Sequence, residues 1–564
     1  MQIILDTEST GKLWYKDKLL LVGVLILDTG EIKQYWHDSP NIGDLRTMLL
    51  APGSEIICHN VKYDILVLRR NGFSVNNSFL GWCTLVLSSL LDNRGSHALK
   101  DLALSLKLED KVTTLKELIG SGKNKLDIDK IDRKKLEEYN AQDLILTGKL
   151  FNYLLQQPAW ETIKKRWLKI EEPFLKNLIE IEWKGILIDN SVKEELKKKF
   201  LEEQEKNRVI LKEQLGEINI NSPKQLVAYF FKNREAIRRT EKGNISINEE
   251  VLKDLSKEDS AAARIIELRK AHKIVKTYIG NIDAYLDCDR IHPNFIQHSD
   301  ISEGAGTGRI SCSRPNTENI PEHSQAREIR RIFTARPGNV FLAGDYSQIE
   351  LRFLAHFSKD PALLDAFKRD KDLHELTAID LFESEHPNDL ERFVGKTFNF
   401  AVGFGAGVDT ILSALKKNLS SEDFAKFSYE RIRELISRYW KTYRRLREWT
   451  FEIRSLLKAK GYVETICGRR RYIDDIDSGW AWRAAVDTIP QGSAADLLKL
   501  ATTKVLDNPE IQGRNLVHDS LVVEIPENRV GDLGFFVKKT MMGAMKLDVP
   551  IRVKVKYGKT FMDV

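Results

Sequence analysis

The segment NLVHDSLVVEI, residues 515–525, constrains the fold more than any other stretch of the chain. Apolar residues flank a His-Asp-Ser triplet, so it reads as strand, tight turn, strand, with Asp519 at the tip. Asp is common in turns because its side chain bonds nearby backbone, and such a tip is ordinarily solvated. In a hairpin bound for a core, however, a lone carboxylate is costly unless a metal or a partner compensates it. A second segment, VFLAGDYSQIELRFLAHF (340–357), runs from an apolar strand to Asp345 and on into an amphipathic helix. If the two strands are neighbours, Asp345 and Asp519 can bridge two metal ions about 3.5–4 Å apart, the arrangement for in-line phosphoryl or nucleotidyl transfer.

Length and composition leave room for this. The 564 residues, 42% of them hydrophobic, suffice for two to four domains with separate cores. Formal net charge is +6, from 88 Lys and Arg against 82 Asp and Glu, which neither requires nor excludes a polyanionic partner. Five scattered cysteines without CxxC spacing fit no disulfide framework or zinc site and suggest a reducing compartment. The longest apolar run, LLLVGVLIL (19–27), is about half a membrane span. The chain opens as a strand with no signal peptide before it, so a soluble intracellular protein is expected.

Residues 1–157 alternate strands with helices, the pattern of an α/β domain with a mixed sheet. SVKEELKKKFLEEQEKNRVILKEQL (191–215) reads as a long solvated helix forming an exposed arm. From about 301, strand segments bracket a mostly helical stretch, giving a sheet with a helical insertion.

A first carboxylate constellation lies near the N-terminus. LDTEST places Asp6 and Glu8 on one face of a strand by its period of two. HNVKYD supplies Asp64 at the start of a helix, and YNAQD puts Tyr139 and Asp143 on one helical face. Converging carboxylates repel unless divalent cations sit among them, and oxygen-only ligands favour Mg²⁺ or Mn²⁺. Two such ions can activate water against a phosphodiester, with a tyrosine hydroxyl orienting that water. The set resembles the DEDD-type 3′–5′ exonuclease domain, tyrosine subclass, and with every carboxylate present an active nuclease is expected.

ERFVGKTFNFAVGFGAG (391–407) reads as a helix begun by Pro387-Asn388-Asp389 and stopped by Gly403, Gly405 and Gly407. Arg392, Lys396, Phe400 and Phe404 then form one stripe at steps of four. An aromatic stripe alone is usually core, but this one begins with two cations. They oppose the helix dipole near its N-terminus unless an anion binds there, which suggests a triphosphate with a base packed on the aromatic end.

DYSQIELR (345–352), RFVGKTFNFAVGFG (392–405) and VHDS (517–520) resemble, in order, the three polymerase motifs of family-A DNA polymerases. TGRISCSRPNTENIP (307–321), DLHELTA (372–378), GRRRYI (468–473) and RAAVDTIPQGSAADL (483–497) match the same family, as do the thumb-like ININSPKQL (218–226) and ISINEEVL (245–252). No segment resembles the 5′-nuclease domain of many bacterial members, so the layout is similar to large-fragment or phage-type enzymes. The resemblance implies a ribonuclease H-like exonuclease domain (1–157), connector and helical thumb (158–300), palm (301–385 and 506–564) and fingers (386–505) of a right-hand α+β polymerase.

The same resemblance implies residue roles. Asp345 and Asp519 would hold two Mg²⁺ ions, and Asp6, Glu8, Asp64 and Asp143 would hold two Mg²⁺ or Mn²⁺ ions. Arg392, Lys396 and His374 would bind the triphosphate, with Gln348 beside them. Glu350 matches the steric gate that excludes a ribose 2′-hydroxyl. Phe404 would leave a template-side stacking surface where tyrosine is usual. Arg309, Arg483, Gln491 and His518 would contact primer–template DNA, the first and third through the minor groove. Ser520, Ala401 and Asp487 depart from the usual glutamate, glycine and asparagine. The basic and aromatic residues of SRYWKTYRRLREW and CGRRRYI would screen template phosphates beside such a cleft.

The implied partners are primer–template DNA and deoxynucleoside triphosphates, with no membrane; a cytoplasmic monomer of a bacterial or phage-infected cell is expected, an accessory replication factor being left open. A single-subunit RNA polymerase is disfavoured by Glu350 and by the exonuclease carboxylates. A nuclease with a merely DNA-binding C-terminal part is disfavoured because Asp345, Lys396 and Asp519 are all present. A noncatalytic nucleic-acid-binding protein would have no use for two metal centres. Phe400 stands where the family carries Phe or Tyr, so we expect poor use of dideoxynucleotides: in primer extension they terminate synthesis inefficiently, and efficient termination contradicts the assignment.

Overall fold

A computed structural model describes residues 2–51, 53–75, 80–121, 126–232, 235–237, 239–240, 243–299, 306–322 and 325–564. The expected thumb–palm boundary at 300/301 lies outside the described residues. The chain forms two compact units. The first comprises Met1–Lys184, Phe295–Ser313 and Leu342–Lys556, and the second comprises Gly185–Asn294, Arg314–Phe341 and Tyr557–Val564.

At the N-terminus, β1 (Gln2–Ser9), β2 (Leu19–Ile26), β3 (Ile32–Trp36), β4 (Glu55–Cys58) and β5 (Leu80–Cys83) form a sheet of order β3-β2-β1-β4-β5. β1 runs antiparallel to β2 and parallel to β4, so the sheet is mixed. The inner strands β1 and β2 are buried almost throughout, whereas β3 at the edge is half-buried. The helices that matter for function are α1 (Val61–Arg70), α2 (Leu99–Ser105) and α3 (Arg133–Leu155), the last begun by Asp132 accepting from the Lys135 N–H.

In the second unit, α4 (Asn190–Leu215) is capped by Asp189, which accepts from Ser191 and Val192 N–H. The expectation of an arm solvated all round is corrected: Leu196, Phe200, Leu211 and Leu215 are buried on one face, and α4 packs along α5 (Ser260–Lys273). Spacing of three and four residues hides this face among the abundant Lys and Glu.

Further along, β6 (Asn339–Tyr346) leads into α6 (Ile349–Ser358), followed by α7 (Leu373–Phe382) and α8 (Asp389–Ala401). The helices α9 (Arg444–Lys460) and α10 (Gly479–Leu506) precede the hairpin β7 (Gln512–Val517) and β8 (Ser520–Pro526), and β9 (Val553–Gly558) closes the set. The sheet order is β7-β8-β6-β9. β6 therefore lies directly beside the hairpin, though some 170 residues of helix-rich chain separate them.

Charge, as well as apolar packing, holds the first unit together. Glu171, fully buried, accepts from Arg166 Nε (2.9 Å) and Nη2 (2.7 Å), Lys499 Nζ (2.9 Å) and Gln297 Nε2 (2.5 Å). Arg166 also pairs with Asp496, one turn from Lys499 on α10. Burial alone would raise the Glu171 pKa, but Lys499, Arg166 and Arg469 outweigh it and hold the carboxyl below its ordinary value of 4.5. Removing one member of such a network leaves a buried charge uncompensated. Glu171→Gln therefore lowers stability by about 3 kcal/mol at neutral pH in urea unfolding. A depressed native pKa stabilises above the unfolded value, so the gap to the unaltered chain narrows as pH falls below 4.5.

Candidate active sites

Asp6 and Glu8 project from β1 into a cluster with Asp143 of α3, and one carboxylate oxygen from each lies within 4.8 Å of the others. The local sequence explains the convergence. Asp6 faces Gly23 across the β1–β2 ladder, and a Cβ on Gly23 would come 1.9 Å from Asn140 Oδ1. The glycine thus admits Asn140, whose Nδ2 donates to Asp6 Oδ2 at 2.8 Å. Asp64, in the first turn of α1, accepts from the Thr7 N–H (3.2 Å) and hydroxyl (2.7 Å), which fixes it beside the same strand.

Burial pushes Asp6 up to about 6, with Lys100, Asn140 and Glu8 pulling the other way. Glu8 and Asp64 are pushed well above the usual carboxylate range by burial and by the Asp6 charge. Tyr139, one turn before Asp143, is raised by burial, Glu8 and Asp6. Glu8 Oε1 is buried without a hydrogen-bond partner. An oxygen-only cluster with an orphaned acceptor and mutual repulsion fits a divalent cation.

A residue not anticipated from sequence joins this cluster. Lys100 of α2 contacts Asp143 Oδ1 and sits 4.3 Å from the centroid of the Tyr139 ring. Burial pushes its ammonium down to about 8, against the pull of Asp6 and Glu8. A positive charge among these carboxylates is the role a metal would fill. The segment SHALKDLA carries no spacing that ties Lys100 to residues so distant in the chain.

The second site forms where β6 meets the hairpin. Val517 pairs with Ser520, leaving His518-Asp519 as a two-residue turn, with His518 at φ +51°. The Tyr346 N–H donates to the Asp519 carbonyl at 3.3 Å, so the residue after Asp345 is bonded to Asp519 itself. The two carboxylate-bearing residues thus lie at neighbouring ends of the sheet's two inner strands. Burial raises the Asp519 pKa against Arg309 and His518. The carboxylates of these two residues are oxygen donors of the kind a divalent cation takes.

Beside Asp519 opens a cavity lined also by Gln348, Glu350, His374, Arg392, Lys396 and Phe400. A close helix approach builds it: a Cβ on Gly395 would lie 2.4 Å from the His374 carbonyl oxygen, so only glycine lets α8 approach α7 this closely. Asn388 and Glu391 cap α8 reciprocally. Asn399 Nδ2 lies 3.1 Å from His374 Nδ1, Gln348 Nε2 lies 3.1 Å from its Nε2, and the Phe400 ring is 5.7 Å from the imidazole. Burial pushes His374 down to about 4, with Arg392 and Lys396 pushing the same way. The imidazole is therefore neutral at pH 7.

Glu350 pairs with Arg309, yet burial pushes it up to about 7, with Asp519 and Asp487 adding to the effect. Gln491 Nε2 donates to Asp487 Oδ1 at 2.6 Å. His518 and Arg483 are exposed.

Two expectations are corrected. Phe404 does not line the cavity: it is 8% exposed within the hydrophobic core, because α8 gives way to a tighter 3₁₀ turn at Val402–Phe404 that rotates the side chain off the stripe. The dipole argument for a bound anion also fails in its original form. Asp389 and Glu391 occupy the first turn of α8, and Arg392 Nη2 and Nε bond Asp372 Oδ2 at 2.6 and 3.0 Å. Lys396 is exposed and has no ion-pair partner among the described residues.

Among the described residues no helix is long and apolar enough to cross a membrane, and the five cysteines are unbonded. The model of the family described as DNA polymerase family A matches residues 190–563, and that described as 3′-5′ exonuclease matches residues 2–158. The chain is 33% identical to DNA polymerase I of Chloroflexus aurantiacus, covering 90% of this chain and 54% of that one. It is 30% identical to DNA polymerase I of Borreliella burgdorferi, covering 92% and 56%. The chain thus spans about half the length of these curated relatives. Its backbone is similar to the POL domain of Pol1 from M. smegmatis in complex with DNA primer-template and dNTP, with TM-score 0.82, 25% identity, and 99% and 95% of the two chains covered. With an exonuclease segment leading into a polymerase segment that takes up most of its length, the chain belongs to DNA polymerase family A.

Proposed function

We propose that this protein is a template-directed DNA polymerase with a separate 3′–5′ proofreading exonuclease site. It adds deoxynucleoside triphosphates to a primer 3′ end by nucleotidyl transfer. The observation that supports the reading is the backbone bond from Tyr346, the residue after Asp345, to Asp519, which itself lines a cavity with Arg392 and Lys396. Domain limits at 157, 300, 385 and 505 follow the same reading, as do a monomeric state, a cytoplasmic location and primer–template DNA as partner.

Asp345 and Asp519 would hold two Mg²⁺ ions, and Asp6, Glu8, Asp64 and Asp143 two Mg²⁺ or Mn²⁺ ions. When bound, such ions lower the pKa of the attacking oxygen and stabilise charge on the leaving one. The protein's own groups do the rest. Lys396 and Arg392 neutralise the triphosphate, Arg392 exchanging Asp372 for a phosphate oxygen. Neutral His374 offers an N–H donor rather than charge. Phe400, 41% exposed, gives the base or sugar an apolar face. Glu350, held by Arg309, occupies space at the cavity wall where a 2′-hydroxyl would intrude. In the exonuclease site, Tyr139, kept protonated by burial and nearby carboxylates, orients water by its hydroxyl.

The two sites separate by mutation. Asp519→Ala abolishes primer extension with Mg²⁺ while 3′-end degradation persists, and Asp6→Ala with Glu8→Ala does the reverse. Extension by Asp519→Ala at the unaltered rate would overturn the polymerase assignment, and full degradation without Asp6 and Glu8 the exonuclease one. Gly395→Ala forces α8 from α7, so nucleotide KM rises about tenfold, consistent with the 1–3 kcal/mol usual for overpacking; steady-state kinetics with an unchanged KM would count against the cavity as the triphosphate site.

A further inference from the structure

The exposed side of α9 carries a feature that the two proposed sites leave unused. Arg447, Phe451, Arg454 and Lys458 succeed one another along that side, and Phe451 is 47% exposed. Its ring stacks on Trp482, with centroids 5.9 Å apart and planes 19° from parallel. Arg447 lies 5.9 Å from the Phe451 ring and Arg454 5.7 Å from the Trp482 ring. The interleaved acids do not neutralise them: Glu452 and Glu448 lie 2.8 and 3.9 Å from Arg445 Nη1. Neither Arg447 nor Arg454 has an ion-pair partner among the described residues.

The stack is anchored and placed. Trp482 Nε1 donates to the Thr450 carbonyl at 2.9 Å. A Cβ on Gly405 would lie 3.8 Å from the far edge of the same indole. Gly405, at φ +86°, ends the segment that continues from α8, the helix bearing Arg392, Lys396 and Phe400. The aromatic pair thus starts beside the end of the nucleotide-site helix and runs outward to solvent.

Lys458 is taken up at 2.6 Å by Asp477, which Arg454 also faces. Flat rings flanked by two guanidinium groups nonetheless suit unpaired nucleotides, whose bases stack on the rings while phosphates meet the cations. Bases within a duplex are already stacked on one another and offer no face. We propose that Arg447, Phe451, Trp482 and Arg454 form a stacking platform for the unpaired template strand ahead of the primer terminus. The platform rests on the polymerase reading, which supplies an unpaired template strand beside the nucleotide site.

The test compares primer–templates bearing a single-nucleotide or a long oligothymidine 5′ overhang, with affinity read by fluorescence anisotropy at fixed salt. Lengthening the overhang tightens binding to the unaltered chain. Phe451→Ala and Phe451→Leu weaken binding of the long overhang about tenfold, leave the short one within about twofold, and Phe451→Trp restores the difference. Arg447→Ala with Arg454→Ala acts likewise and flattens the salt dependence. Affinity that ignores overhang length, or variants that weaken both substrates equally, would overturn the platform. Primer extension by the unaltered chain is a separate control. Its failure counts against the polymerase reading, whereas extension with overhang-independent affinity counts against the platform alone.

Discussion

The pairing of β6 with the hairpin β7–β8 is the constraint on which the polymerase half depends. The strand pairing of β6 with β8, extended by the bond from the Tyr346 N–H to the Asp519 carbonyl, joins segments separated by the whole of α6 to α10. Because side chains alternate along a strand, a slip of one residue would turn Asp345 into the core and expose Tyr346. The tight His518-Asp519 turn fixes the register on the other side. The charges of Arg392 and Lys396 and the neutral imidazole of His374, all carried by the intervening helices, then line one cavity with Asp519.

The protein buries carboxylates in two physically different ways. Around Glu171 each oxygen meets a cation or an amide, and the carboxyl is held below its usual range. There the carboxylate is fully compensated by its neighbours. Around Asp6, Glu8 and Asp64 the acids face one another, their pKa values rise, and Glu8 Oε1 lacks a partner. That cluster is incomplete on its own, and Lys100 is the one cation among the described residues that is drawn into it. Burial is common to both groups, but the shifts run in opposite directions: down around Glu171, where cations surround the carboxyl, and up around Asp6, Glu8 and Asp64, where acids face acids.

The sequence made the carboxylate convergence legible because it depends on local periodicity. Asp6 and Glu8 follow the strand period, Tyr139 and Asp143 the helix period, and the extents of β1, α3 and α8 follow from caps and apolar spacing. What stayed hidden depends on long-range packing. Asp372 lies 20 residues before Arg392, and its neutralising role appears only once α7 and α8 are side by side. Lys100 and Gly395 act through equally distant partners. Phe404 misled because extrapolating steps of four assumes that the α-helix continues, whereas the last turn tightens to 3₁₀ geometry. The face of α4 was masked by its charge, although its spacing of three and four was present to be read.

The account stands or falls on one shared metal site. Crystals of the protein with a non-extendable primer–template, an incoming deoxynucleotide and Mn²⁺ would locate the ions by anomalous scattering. The account predicts two peaks about 3.5–4 Å apart, with Asp345 and Asp519 both ligating. Peaks bound by only one of these residues, or by neither, would contradict it.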